Sequence, residues 1–280
     1  MLKRILVALD QDADTPIAVD YALKVAHKKK AAVTGLAVVD VDRIEETSSG
    51  GGIGSMYYAE KLKEKLTNQT RIRAQELVEE FSHASEEKHI PYQVEVREGI
   101  PSDQIVEEQK YHDLLFIGNN PHFFYSHPDQ TTTTLGHVVQ KCVAPIIIVP
   151  SEFKKIKRAV LGYDGSTPSV RALQRFAQMS PFGHDVEVFV VSVNEGRNSA
   201  NSEMLSLHAC NYLQAFGYKA SHATLQGGKP VQHILNYAQQ QNAELIIAGA
   251  HSVSKMRRLA FGSTTETLVN DGRFVLFLDR

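Results

Sequence analysis

The residues best placed to do chemistry form one run near the end of the chain, Gly249-Ala250-His251-Ser252-Val253-Ser254-Lys255-Met256-Arg257-Arg258-Leu259-Ala260-Phe261-Gly262-Ser263-Thr264-Thr265-Glu266. An apolar strand-like segment ends at Gly249, and Gly262-Ser263-Thr264 opens a predicted helix. Glycine lets a backbone come close to a ligand. A helix N-terminus offers unpaired N–H groups and a partial positive charge. With the hydroxyls of Ser263 and Thr264 these groups suit a phosphate. Helix capping by Ser263 or Thr264 fits the same spacing, and the spacing alone leaves both readings open. Lys255, Arg257 and Arg258 suit a polyphosphate or are solvated surface charge, and His251 either touches phosphate or caps the strand end. Upstream, Asp164 ends another apolar strand in Asp164-Gly165-Ser166, where it can form a turn, cap a helix or meet a ligand.

An earlier segment of the chain repeats these features in altered form. Gly118-Asn119-Asn120-Pro121 begins the same kind of loop, but proline has no N–H to donate. Thr131-Thr132-Thr133-Thr134 follows, without a glycine, where the phosphate turn should lie. Asp10 stands at the end of the first strand, followed by Gln11-Asp12-Ala13-Asp14, whose carboxylates should repel phosphate. This half is expected to hold no phosphate ligand of that kind, or to bind something else. His122 and His127 flank an aromatic run in the same half, near His112 and His137, without metal-site spacing. That run is expected to be an exposed loop that contacts a partner. Gly50-Gly51-Gly52-Ile53-Gly54-Ser55 lacks the Lys-Ser/Thr of a P-loop and is expected to be a flexible linker, with a mobile lid as the alternative.

The elements that must position these residues come as an internal repeat. Arg4-Ile5-Leu6-Val7-Ala8-Leu9-Asp10 returns as Arg158-Ala159-Val160-Leu161-Gly162-Tyr163-Asp164, and Gly99-Ile100-Pro101 returns as Gly228-Lys229-Pro230. Asp10 and Asp164 lie 154 positions apart but Gly99 and Gly228 only 129, so the first half holds 25 extra residues between these landmarks. The halves divide at 1–150 and 151–280. Strands are predicted at Ile5–Leu9, Ala32–Val39, Tyr92–Val96, Leu114–Ile117 and Ile146–Val149. In the second half they are predicted at Ala159–Tyr163, Val186–Val193, Ala220–Leu225, Leu245–Ala248 and Phe274–Leu278. Several are continuous apolar runs, as strands buried on both faces require. Ala74, Leu77, Val78 and Phe81 follow helical spacing, so Met56–Ser85 is one long helix or two broken ones. Right-handed crossovers then give an α/β fold, a doubly wound sheet in each half, with ligands at the carboxyl ends of the strands. Ile146–Val149 and Phe274–Leu278 are expected to pair within the chain, which covers their edges.

The run from Gly249 to Ser263 resembles the nucleotide signature of the universal stress proteins, Gly-x2-Gly-x9-Gly-Ser/Thr, with Ser252 in place of the second glycine. The resemblance covers nearly the whole chain as two copies. It implies two doubly wound five-stranded parallel-sheet domains in tandem, Rossmann-like and similar to the adenine nucleotide alpha hydrolases. It implies ATP, with or without Mg2+, held by the second domain through Gly249, Ser252, Gly262, Ser263 and Thr264. It further implies Asp164 at the adenine or ribose side and the main chain near Val193 beside the adenine. The function implied is a non-catalytic, ATP-binding stress or regulatory protein. Two other readings stand beside it, a nucleotide-independent adaptor and a slow ATPase. Hydrolysis needs a water-positioning base and metal ligands, and Asp164 is the one strong carboxylate candidate.

Composition sets wider limits. With 30 Lys+Arg against 32 Asp+Glu the net charge is -2, which gives no electrostatic reason for nucleic-acid binding. Cys142 and Cys210 are too few for a disulfide framework. The apolar run after Met1 is too short for a signal peptide and no run reaches membrane-spanning length, so the expectation is a cytoplasmic protein without membrane insertion. An unidentified protein partner and a homodimer remain open.

Overall fold

The computed structural model describes residues 2–48, 56–123, 134–194, 199–250 and 263–280. In chain order the elements begin β1 (Arg4–Leu9), α1 (Thr15–Lys29), β2 (Ala32–Val39), α2 (Val41–Ser48), α3 (Met56–Glu87), β3 (Tyr92–Glu98), α4 (Pro101–Gln109), β4 (Leu114–Gly118), α5 (Thr134–Lys141) and β5 (Ile146–Val149). They continue β6 (Arg158–Gly162), α6 (Thr167–Met179), β7 (Glu187–Asn194), α7 (Ser199–Ala215), β8 (Ala220–Gln226), α8 (Pro230–Gln240), β9 (Leu245–Gly249), α9 (Ser263–Asp271) and β10 (Val275–Asp279). The chain divides into two compact units, Lys3–Val138 and Met1–Leu2 with Val139–Arg280.

In the first of these units the strands run parallel in the order β3-β2-β1-β4. In the second, β10-β9-β6-β7-β8 are parallel. The strand that follows the first half's last helix, β5, belongs to this second unit. It runs antiparallel to β10, with Ile148 opposite Leu276 and Ile146 opposite Leu278. The two apolar runs therefore do pair within the chain. Each parallel set carries its first strand in the middle and its fourth on the far side, the doubly wound α/β order, which places a crevice where the winding reverses. Those crevices open at the carboxyl ends of β1 and β4, and of β6 and β9.

The burial pattern explains the strand order. β4, β5 and β10 are buried along their whole length. The outermost strands β3 and β8 are partly exposed and polar, and β3 carries Glu95, Arg97 and Glu98, charges that discourage pairing with another chain. Phe176 packs edge-on against Phe277 with ring centroids 5.4 Å apart, and both are buried. Burial of each such ring contributes about 1.5–3 kcal/mol. Cys142 and Cys210 are free and buried, and burial pushes the Cys142 thiol up to about 12. Among the described residues no helix is long and apolar enough to cross a membrane.

The extra length of the first half includes α3, one unbroken helix of 32 residues whose Ala74, Leu77, Val78 and Phe81 are buried. The glycine-rich stretch before it, residues 50–55, lies outside the described residues except for its neighbour Met56 at the helix start. Gly35 on β2 is what lets α3 settle. A Cβ there would lie 2.7 Å from the Phe81 ring, so the ring rests on bare backbone. Gly35→Ala should therefore destabilise the protein by about 1–3 kcal/mol, the range for overpacking a tight core. Urea unfolding checks this, and an unchanged midpoint would show that Phe81 is free to move away.

Candidate functional site

At the carboxyl edge of the second sheet β6 and β9 run side by side, with Leu161 opposite Ile247. Beyond their ends lies a cavity of about 430 Å3, whose polar lining residues are Asp164, Ser169 and Thr264. Its apolar wall comes from Val191, Val193, Pro230, Ile234 and Ala248, with Tyr163 beside Asp164. The volume falls in the range of small-molecule pockets, about 300–1,000 Å3. Asp164 is exposed, and its Oδ1 accepts from the Ser166 amide at 2.9 Å and the Ser166 hydroxyl at 2.6 Å. That bond folds the strand-to-helix turn, in which Gly165 takes φ +75°. Ser166, not Asp164, is the N-cap of α6; its hydroxyl accepts from the Ser169 amide. Burial raises the Tyr163 phenol, and the adjacent Asp164 charge adds to it.

Four of the residues singled out in the sequence, Asp164, Val193, Gly249 and Thr264, thus line one cavity. Ser263 begins α9. Ser252 and Gly262 lie in the segment 251–262, outside the described residues. Gly249 has a structural duty that the sequence did not reveal. A Cβ on it would lie 2.5 Å from the Pro168 carbonyl carbon and the Ser169 amide, so its bareness admits the first turn of α6. Tyr163, Pro230 and Ile234 were missed as lining residues. Two signals were available, since Tyr163 directly precedes Asp164 and Pro230 belongs to the repeated Gly-x-Pro turn.

In the first unit the corresponding edge is occupied by the chain's own carboxylates. Asp10 is buried, and its Oδ2 accepts from the His122 amide at 2.6 Å. Its Oδ1 accepts from the Asp12 amide at 3.1 Å and from the Thr15 hydroxyl. Asp14 is buried as well, and its Oδ2 accepts from the amides of Asn119 at 2.7 Å and Asn120 at 3.2 Å. Gly118 makes this approach possible, because a Cβ there would lie 2.0 Å from Asp14 Oδ1. The loop from Asp10 to α1 holds four residues, Gln11 to Asp14, whereas Gly165 and Ser166 alone join Asp164 to α6. The two added residues carry the extra carboxylate onto the amides that follow β4. Burial raises both acids, Asp10 to about 7. The first two residues of the run after Pro121 depart from expectation. His122 and Phe123 are buried, because the His122 amide is drawn in to Asp10 and its ring Nδ1 lies 2.9 Å from Asp12 Oδ2. Residues 124–133 lie outside the described residues.

The fold and the cleft define a tandem α/β protein of Rossmann-like architecture with an open crevice in its second unit. The model of the universal stress protein family matches residues 1–150 and again 155–273, and the chain belongs to that family. It is 23% identical over 277 residues to a universal stress protein of Synechocystis sp., covering 94% of this chain and 95% of that one. A universal stress protein from Archaeoglobus fulgidus shares the fold with a TM-score of 0.72 at 18% identity, over 99% of this chain and 96% of its own. A putative universal stress protein from Pseudomonas aeruginosa superposes with a TM-score of 0.61 at 15% identity, over 99% and 92%.

The buried Asp10 should be visible in the pH dependence of stability. Its folded carboxyl titrates near 7 against an ordinary value of 3.8, so between those values the folded state keeps a proton that the unfolded chain has released. Stability from this group is full below about pH 4 and is lost as pH rises through 7, by about 4 kcal/mol in all. Asp10→Asn should flatten unfolding free energy across that window. Denaturant titrations at a series of pH values test it, and parallel curves for variant and wild type would refute the assignment.

Proposed function

We propose that the protein is a non-catalytic, ATP-binding stress or regulatory protein that holds the nucleotide in its second unit. The observation that carries this reading is the open cleft at the β6/β9 winding reversal, with Asp164 exposed at its mouth. The apolar wall of Val191, Val193 and Ile234 fits the faces of a purine, and Tyr163 offers a further ring. Asp164 suits the ribose hydroxyls, acting as an acceptor. Thr264, in the first turn of α9, stands where a helix N-terminus favours phosphate. The signature run 249–263 supplies the remaining phosphate contacts in this reading. Among the described lining residues Asp164 is the one carboxylate, and it is placed for the nucleoside, which supports binding without hydrolysis. ATP brings Mg2+ on its own phosphates; the described residues include no group of three His, Cys, Asp or Glu side chains to hold the ion alone.

The first unit, in the same reading, binds no ATP, because Asp10 and Asp14 already accept from the amides that a phosphate would need. Two buried free cysteines accord with work in the reducing cytoplasm. Ser252, at the second glycine of the signature, favours the adaptor reading, in which the protein engages a partner without nucleotide. ATP affinity measured on the full chain separates the readings. Asp164→Ala should weaken binding about tenfold, and Gly262→Asp should weaken it further by placing a carboxylate against phosphate. Asp14→Asn should leave affinity unchanged. Equal affinities for all variants, or no ATP bound by wild type, would count for the adaptor. Timed ADP production should stay at the background rate; a burst or steady release would make the protein an ATPase.

A further inference from the structure

The first unit has a cavity that adjoins its self-filled crevice and shares Asp10, Asp12 and Thr15 with it. It measures about 350 Å3 and lies between α1 and α3, beneath the loop that leaves β1. Val19 and Leu23 stand one turn apart on α1, and Leu77, Phe81 and Ala84 form a stripe on α3, so the two helices face each other with carbon. Phe81, packed on Gly35, and Leu23 are buried, so the carbon left to meet a ligand comes from Pro16, Ala84 and the edges of Val19 and Leu77. The cavity is a product of the first half's long α3, whose stripe forms one whole side.

Its charged residues are unevenly matched. Asp10, Asp12, Asp20 and Glu80 line it against Arg73 and Lys88. Both bases are engaged: Arg73 lies 2.8 Å from Glu76 and 3.7 Å from Glu80, and Lys88 lies 2.7 Å from Asp20. Asp10 and Asp12 stand at the loop end; Asp10 accepts from the Asp12 and His122 amides and Asp12 Oδ2 lies 2.9 Å from the His122 ring, so both are acidic groups with partners already in place. With four acids against two bases, an anion entering this space would meet like charge at close range, whereas a cation with a hydrocarbon body would match the acids and the carbon between the helices.

We propose that the α1/α3 cavity is a small-molecule site for an organic cation, an amine carried on a ring or short apolar body. The ammonium lies toward Asp12 and the β1–α1 loop, and the body packs against Pro16, Val19, Leu77 and Ala84. The volume sits at the low end of the range for small-molecule pockets, about 300–1,000 Å3, which restricts the body to roughly one ring. The site is independent of the nucleotide reading of the second unit.

Calorimetric titration of the full chain at about pH 8, where such amines are charged, tests this with phenethylamine, phenylpropionate and phenethyl alcohol. The amine should bind once per chain, about tenfold tighter than the acid, with the alcohol between them. Ala84→Phe, which fills the cavity, should weaken the amine about tenfold, and Asp12→Asn should weaken the amine but not the alcohol. Saturating ATP should leave amine affinity unchanged. Equal or tighter binding of the acid, full affinity in a folded Ala84→Phe protein, or displacement of the amine by ATP would each overturn the proposal. Should Ala84→Phe not fold, the methyl resonances of Leu23 and Leu77 in the wild type decide. Shifts on titration with the amine support the site, and unmoved methyls refute it.

Discussion

Every buried amide at the carboxyl edge of a parallel sheet needs an acceptor, and the two units of this chain meet that demand in different ways. In the first unit the loops after β1 and β4 are bound to each other through Asp10 and Asp14, which accept from the amides of His122, Asn119 and Asn120. The edge is closed by the protein's own carboxylates. In the second unit Asp164 turns back on Ser166, and Asp164, Gly249 and Thr264 line a cavity. The same strand framework thus yields one crevice satisfied from within and one that holds a cavity.

The difference originates in two residues of loop. With four residues between Asp10 and α1 the chain can swing Asp14 across to β4; with two between Asp164 and α6 it cannot. Gly118 and Gly249 occupy equivalent strand ends and both serve close approach, but to different neighbours. One admits a carboxylate and the other the backbone at Pro168 and Ser169. A buried carboxylate carries a desolvation cost, seen in the raised Asp10 and Asp14, and the hydrogen bonds from the Thr15 hydroxyl and four loop amides offset it only in part. Closing the first crevice therefore ties the order of that edge to protonation.

Long insertions between strands reshape one side of the first unit without disturbing its sheet. α3 keeps the register of β2 and β3, with Gly35 opposite Val94, while its other stripe turns toward α1. Parallel pairing is set by the strands' apolar runs, and the connection is free to lengthen on the face. That freedom is why duplicated halves with the same strand order differ in their cavities.

The sequence by itself determined the repeat, the strands and their parallel character, because continuous apolar runs such as Leu114–Ile117 and Leu245–Ala248 have no other stable use than burial on both faces. It also determined that Asp10 and Asp164 end equivalent strands, and that the loop after β4 lacks the glycine of its counterpart, Gly262. Tertiary structure alone decided what those residues face. Asp14 reads as one more acidic loop residue until the fold brings Asn119 within 2.7 Å of it, and His122 reads as surface until its amide is drawn to Asp10. Gly249 reads as a ligand glycine until α6 is seen against it. Periodicity records which side of an element is apolar, but a hydrogen bond between residues more than a hundred positions apart depends on loop length and strand order together, and no local pattern encodes that.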